Sequence, residues 1–344
     1  MKSFRVDLWG EGEYTYPQSY GFMPNIMAFL HEEDTEKRNC ILVAPGGGYC
    51  MCAPHEGELV AMEFYKKGLN AFVITYTTDI TFSEPLKKQP MNDIARAVRI
   101  IRKNADEYRI YPDKLVICGF SAAGHLCATL ATHFDDAVDE NPQYAEISAR
   151  PDAVILGYPV ITSGDFTHGS SMDALLGRDA SQEERDYFSL EKQVTENTPP
   201  CFIWQTVGDS LVPVENNYLF ADALRAKKVP YAQYVFPFGD HGLSVASSEQ
   251  FAGWRGGEYS MEQLNKVLPH VKDNTLVNVP ERRRNELIEQ FFNSKPQEPP
   301  KKDGEDENPE AKKFREMLAK GNPFADVAMW PELAYIWFSR IFNA

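Results

Sequence analysis

From about residue 39 to residue 237 the chain alternates short apolar runs, rich in β-branched residues, with longer stretches whose apolar positions recur every three or four residues. The runs at 40–44, 71–76, 115–118, 153–157, 201–206 and 232–236 are short and apolar enough to be strands covered on both faces. Between them, residues 91–108 place Ile94, Val98, Ile101 and Ala105 at helical spacing with Arg and Lys opposite, so this helix should lay one face on a sheet. Another helix is expected to start directly after Ser121 and continue through Leu126 and Leu130. The alternation predicts an α/β fold: a mostly parallel central sheet with helices on both faces. Residues 161–200 break the rhythm and hold Gly164, Gly169 and Gly177, which reads as a loop-rich excursion over the sheet.

The character changes after residue 246. Residues 247–324 are polar, with helix-like pieces flanking a low-complexity stretch at 294–313, whose prolines and mixed charges suit a solvated linker. Residues 325–342 turn amphipathic again, with Trp330, Leu333, Ile336, Trp337 and Ile341 at helical spacing, and should dock on the sheet as a last helix. The expected organisation is a single domain over 1–344, with a core of 1–246 and 325–344 and an insertion at 247–324.

Charge narrows the list of partners. Fifty acidic against 35 basic residues leave a net charge of −15, which repels phosphate backbones and anionic membranes, so neither nucleic acid nor membrane is expected as a partner. The first ten residues are interrupted by Arg5 and Asp7, and no apolar run approaches the roughly 18 residues of a membrane span, which points to a cytoplasmic protein. Six cysteines (Cys40, Cys50, Cys52, Cys118, Cys127 and Cys201) are scattered, several within apolar runs, as reduced core cysteines are. Cys50 and Cys52 have no second Cys or His pair at zinc-ligand spacing, so no metal or other cofactor is expected.

The segment 115–125, LVICGFSAAGH, is a buried strand turning through Gly119, Phe120 and Ser121 into a helix. Such a turn lifts a serine hydroxyl clear of the sheet and sets the next amide, that of Ala122, at the positive end of the helix. The usual pattern is G-x-S-x-G; here Ala123 occupies the second glycine position and Gly124 follows. Upstream, residues 41–49 form a strand running into Gly46-Gly47-Gly48-Tyr49. The spacing fits neither a P-loop nor a dinucleotide fingerprint, whereas glycine amides can hold a developing oxyanion; Gly47 or Gly48, with Ala122, would supply the donors. A serine needs a base to take its proton. Of seven histidines, His241 follows the last strand and lies in a Gly-Asp-His-Gly loop, while His55 and His168 sit in loops near the presumed pocket as candidates for substrate contact. The orienting acid should close the preceding strand, which selects Asp209, with Asp240 as its rival.

These stretches resemble the α/β-hydrolase superfamily, and within it the carbohydrate acetyl esterases and feruloyl-esterase-like enzymes often described as acetyl xylan esterases. The similarity runs over 39–243 and includes the Pro-Gly-Gly-Gly-Tyr loop, Asp93, the Ser121 turn, Tyr158-Pro159-Val160-Ile161-Thr162, Thr198-Pro199-Pro200 and Asp209 with Val212-Pro213-Val214-Glu215-Asn216. It implies an α/β-hydrolase fold, a Ser121-His241-Asp209 triad, a small-acyl carbohydrate ester as substrate, and Tyr49 and Tyr158 beside His55 as substrate contacts. Pro45 stands where the family often has histidine, and the 247–324 segment is one that such enzymes lack or keep short. The rival readings are a carboxylesterase, lipase or peptidase with the same triad, and a non-catalytic binding module.

Overall fold

A computed structural model describes residues 1–251, 256–276, 278–293 and 316–343. Eight strands form one sheet: β1 (Lys2–Asp7), β2 (Asn25–Leu30), β3 (Arg38–Ala44), β4 (Asn70–Thr75), β5 (Ile110–Phe120), β6 (Ala153–Gly157), β7 (Cys201–Thr206) and β8 (Tyr231–Phe236). Their order is β1-β2-β4-β3-β5-β6-β7-β8. The pairs β1/β2 and β2/β4 are antiparallel, and every other neighbouring pair is parallel. All six strands read from the apolar runs form. The other two, β1 and β2, lie before residue 39, where the alternation begins; β1 alternates exposed and half-buried positions, as a strand at the sheet edge does.

Helices cover both faces. On one, α2 (Gln89–Lys103), α3 (Ser121–His133) and α6 (Glu215–Ala226) bury Ile94, Val98, Leu126, Leu130, Phe220 and Leu224 against Leu42, Ile117 and Leu156. On the other, α1 (Glu58–Lys66) and the C-terminal helix Trp330–Asn343 cover Val43, Val116, Ile155 and Phe202. The stripe that docks this last helix is Trp330, Ala334 and Phe338, one residue in four. Ile336, expected on that stripe, is 43% exposed. A helix advances 100° per residue, so a face centred on Trp330 and Phe338 turns position 336 outward.

The excursion at 161–200 is more regular than its glycines suggested. It holds α4 (Gly169–Leu176) and α5 (Gln182–Tyr187). The latter starts on a capping box, in which Ser181 and Glu184 satisfy each other's backbone amides. Beyond β8, the helices Glu262–Asp273 and Glu281–Ile288 bury Leu264, Val267, Val271 and Leu287 with Ile80 in a small separate cluster that also receives Cys50 and Met51. The stretch 294–313, expected as a linker, lies outside the described residues. Among the described residues no helix is long and apolar enough to cross a membrane.

Register decides what collects at the carboxyl ends of the strands. Ala44 pairs with Gly119, Phe120 with Gly157, and Thr206 with Phe236. The loops that follow β3, β5, β6, β7 and β8 therefore open on one edge, where ligands of open α/β sheets bind.

The C-terminal helix should be a principal support of its face. Phe338→Ala is expected to lower stability by about 3–5 kcal/mol, read as a fall in the urea midpoint at unchanged slope.

Candidate active site

The strand β5 ends in an extended Phe120 (φ −122°, ψ 142°), and Ser121 then takes φ +53° as the first residue of α3. A left-handed serine between a strand and a helix makes the chain reverse within one residue, which costs of order 1–3 kcal/mol and persists only where the surroundings enforce it. Two glycines permit it. A methyl group on Gly119 would fall 2.2 Å from the carbonyl oxygen of Ala123, and one on Gly124 would fall 2.7 Å from Cβ of Pro159. The close approach to the segment after β6 thus falls on Gly124, and Ala123 is accommodated in the buried helix face.

Ser121, His241 and Asp209 come together from three loops. His241 Nε2 lies 2.8 Å from Ser121 Oγ, and His241 Nδ1 lies 2.8 Å from Asp209 Oδ2. A carboxylate only accepts, so Nδ1 carries the proton and Nε2 is left to accept from the serine hydroxyl. The Asp209 side chain is fully buried, and its other oxygen accepts from the amides of Leu211 (3.0 Å) and Val212 (2.8 Å). Those bonds hold the carboxylate in place behind the imidazole. Asp240, the rival acid, faces backbone instead: its Oδ1 accepts from Ser210 N, Ser210 Oγ and His241 N, and these bonds hold its carboxyl below the usual range.

Facing the serine is the glycine loop. A methyl on Gly46 would lie 3.1 Å from Ser121 Cβ and 2.5 Å from the Phe120 carbonyl, so only glycine lets the loop approach the turn. Gly47 (φ +127°) and Gly48 (φ +66°) follow in conformations that favour glycine. Among the described residues their amides donate to no protein acceptor. Ala122, second in α3, is in the turn whose amides have no helical partner.

The two tyrosines expected at the substrate are placed differently. Tyr49 is 1% exposed, and its hydroxyl donates to Nδ1 of the buried His125 at 2.9 Å. Tyr158 is 2% exposed; its ring meets the His241 ring edge-on at 4.9 Å, and its hydroxyl donates to Glu56 Oε1 at 2.6 Å. Both hydroxyls are committed inside the protein, so neither is presented to a ligand. His55 is partly exposed beside the His241 loop, with Nε2 3.9 Å from where a Gly242 methyl would be. His168 is half-buried and bonds Ser171 Oγ at 2.7 Å; desolvation, then the nearby His241, lowers its pKa. Glu56, overlooked in the sequence, sits in an Ala-Pro-His-Glu-Gly stretch with no periodicity to mark it, yet it is buried and accepts from the amide of Gly46 at 2.8 Å. Among the described residues no group of three or more His, Cys, Asp or Glu is arranged to hold a metal ion.

A serine on a strand-to-helix elbow, a histidine after the last strand and an acid after the strand before it define a serine hydrolase of the α/β-hydrolase class. Comparison with known proteins agrees. The BD-FAE family profile matches residues 28–224. The chain is 65% identical to an endo-1,4-beta-xylanase B of Butyrivibrio fibrisolvens over 78% of its length and 42% of that protein's. It is 30% identical to an acetylxylan esterase of Xylanibacter ruminicola over 64% of its length and 44% of that protein's. The chain thus spans less than half of either relative. Among solved structures, an acetyl ester-xyloside bifunctional hydrolase from Caldicellulosiruptor lactoaceticus superposes with a TM-score of 0.66 at 33% identity, covering 80% of this chain and 97% of that one. A carboxylesterase from Lactobacillus plantarum, 21% identical with a TM-score of 0.60, shares the fold. The chain belongs to the BD-FAE family, and with it to the serine esterases of the α/β-hydrolase fold.

Burial beside the elbow makes stability depend on pH. His125 donates from Nε2 to the Phe188 carbonyl and accepts from Tyr49, and burial pushes its pKa down to about 4. Unfolded, it would titrate near 6.5. Its contribution is therefore complete above about pH 6.5 and is lost as the pH falls toward 4, by about 3 kcal/mol, because only the unfolded chain takes up the proton in that window. Urea midpoints measured from pH 7.5 to 4.5 should fall for the wild type and fall less steeply for His125→Gln.

Proposed function

We propose that the protein removes acetyl and other small acyl groups from carbohydrate esters such as xylo-oligosaccharides, through an acyl-enzyme on Ser121. The observation that carries the reading is the hydrogen-bonded relay from Ser121 through His241 to Asp209 on a strained elbow. The substrate class rests on the names of the relatives, an acetylxylan esterase and an acetyl ester-xyloside hydrolase.

In the reaction, Ser121 Oγ attacks the ester carbonyl carbon while His241 Nε2 takes its proton. Charge develops on the carbonyl oxygen and is met by the amide of Ala122 and that of Gly47 or Gly48. Collapse breaks the bond to the sugar oxygen, and His241 returns the proton to that leaving group. Water then attacks the acyl-enzyme, again giving its proton to His241, and the acid leaves as Ser121 is restored. Asp209 keeps Nδ1 protonated throughout and stabilises the imidazolium. The turnover consumes one ester and one water and needs no other reactant. In this reading the chain is one hydrolase domain, and residues 247–324 form an insertion whose described helices brace the segment 78–82.

Hydrolysis of p-nitrophenyl acetate should fall by at least about 10⁴-fold in Ser121→Ala and by about 10³–10⁴-fold in Asp209→Asn, whose amide favours the wrong tautomer of His241. Undiminished turnover in Ser121→Ala would end the assignment. For the substrate class, release of acetate from acetylated xylo-oligosaccharides should outpace release of octanoate from octanoyl esters; fastest turnover on octanoyl, or cleavage of the xylan main chain in place of its esters, would point to a different enzyme.

A further inference from the structure

We propose that Glu56 is a positioning residue for this reaction, a buried carboxylate that sets the oxyanion loop and the face of His241 together. The inference rests on the serine-esterase reading above and extends it to a group that the relay does not contain.

Glu56 is 3% exposed. Its two oxygens divide their work. Oε2 accepts from the amide of Gly46 at 2.8 Å, and Oε1 accepts from the Tyr158 hydroxyl at 2.6 Å. Both contacts are donors, the arrangement suited to an ionised, acceptor-only carboxylate. A methyl on Gly46 would be 2.7 Å from Glu56 Oε2 and 3.1 Å from Ser121 Cβ, so carboxylate and nucleophile flank the same point of the loop. On the other side, the Tyr158 oxygen accepts from the amide of Ser244 at 3.0 Å, and the Tyr158 ring supports the imidazole of His241. Ser244 in turn donates from its hydroxyl to the His55 carbonyl, next to Glu56 in the chain. One carboxylate thus joins the loop after β3, the residue after β6 and the loop after β8.

No Lys or Arg is paired with it among the described residues. Facing it are His55, with Nε2 at 3.9 Å, the neutral hydroxyl of Tyr158, and Tyr76, Cys52 and Cys118, whose acidities its charge lowers further. Facing His241 are Asp209, Asp240, His168 and the ring of Tyr158. With no Lys or Arg counter-ion among the described residues, the carboxylate is held by its two donors, which couples the position of Gly46 to that of Tyr158 and so to the ring of His241.

Two variants separate the hydrogen bonds of Glu56 from its packing. Glu56→Ala removes both hydrogen bonds and should lower kcat on p-nitrophenyl acetate about 30-fold or more with KM within about threefold. Glu56→Gln keeps the shape but only one acceptor oxygen, so it can hold the Gly46 amide while the Tyr158 hydroxyl, which already accepts from Ser244 N, loses the acceptor for its own proton. Its kcat should fall about 3- to 10-fold, between wild type and Glu56→Ala, with KM again within about threefold. Should Glu56→Ala fail to fold, Glu56→Gln still decides, because its side chain has the same volume and a fall in kcat at steady KM then reports the lost hydrogen bond and not packing. Full kcat in Glu56→Gln, or in a folded Glu56→Ala, would overturn the proposal. Ser121→Ala run alongside keeps the two readings apart: retained activity there defeats the esterase mechanism, whereas its loss with indifferent Glu56 variants defeats the positioning role alone.

Discussion

The left-handed conformation of Ser121 is the constraint on which the rest of the site is arranged. An L-residue at φ +53° is unfavourable in isolation, and it holds here because β5 is fixed between β3 and β6 while α3 is packed on the sheet below. The neighbours are small where they must be: Gly119 beneath the turn, Gly124 against Pro159, and Gly46 across from the serine. Each is a place where one methyl group would meet backbone or a buried ring. The strain is stored at the point where the hydroxyl has to stand clear of the sheet, and the parallel register of β3, β5, β6, β7 and β8 brings the other loops to that point.

Around this turn the buried charges are few and each is fully engaged. Asp209 lies behind His241, held by two amides, and Glu56 lies behind the glycine loop, held by one amide and one hydroxyl. In a medium of low effective dielectric, a carboxylate with all its contacts made by donors is both rigid and strongly oriented. Tyr158 stands between the two systems, with its ring against His241 and its hydroxyl on Glu56. The aromatic residues behind it, Phe120 and Trp204, have ring centroids 5.5 and 5.0 Å away and leave it little room to turn.

The described helices beyond β8 extend the same logic outward. Gln263 bonds the amide, hydroxyl and carbonyl of Thr78, and Arg283 donates twice to the carbonyl of Ile80. The segment they secure carries Asp79, whose amide bonds the Tyr49 carbonyl at the end of the glycine loop. These polar contacts, with the small apolar cluster around Val267 and Leu287, give a stretch of low hydrophobicity a fixed place on the domain.

By itself the sequence determined six of the eight strands, the elbow and the chain order of serine, acid and histidine. Those features are local: a buried strand is a short apolar run, and a sharp turn declares itself by glycine and serine at fixed spacing. It left Asp209 and Asp240 separated mainly by adjacency, because which carboxylate reaches an imidazole depends on where two loops meet. It also assigned Tyr49 and Tyr158 to the substrate, where an aromatic beside a pocket is chemically suited to be. Only the tertiary structure decided that both hydroxyls point inward, that the C-terminal helix docks on Trp330, Ala334 and Phe338, and that Glu56 belongs to the site at all. Burial and hydrogen-bond pairing between residues 100 or more positions apart, such as Glu56 with Tyr158 and Ser121 with His241, are properties of the packed sheet, and no spacing along the chain encodes them.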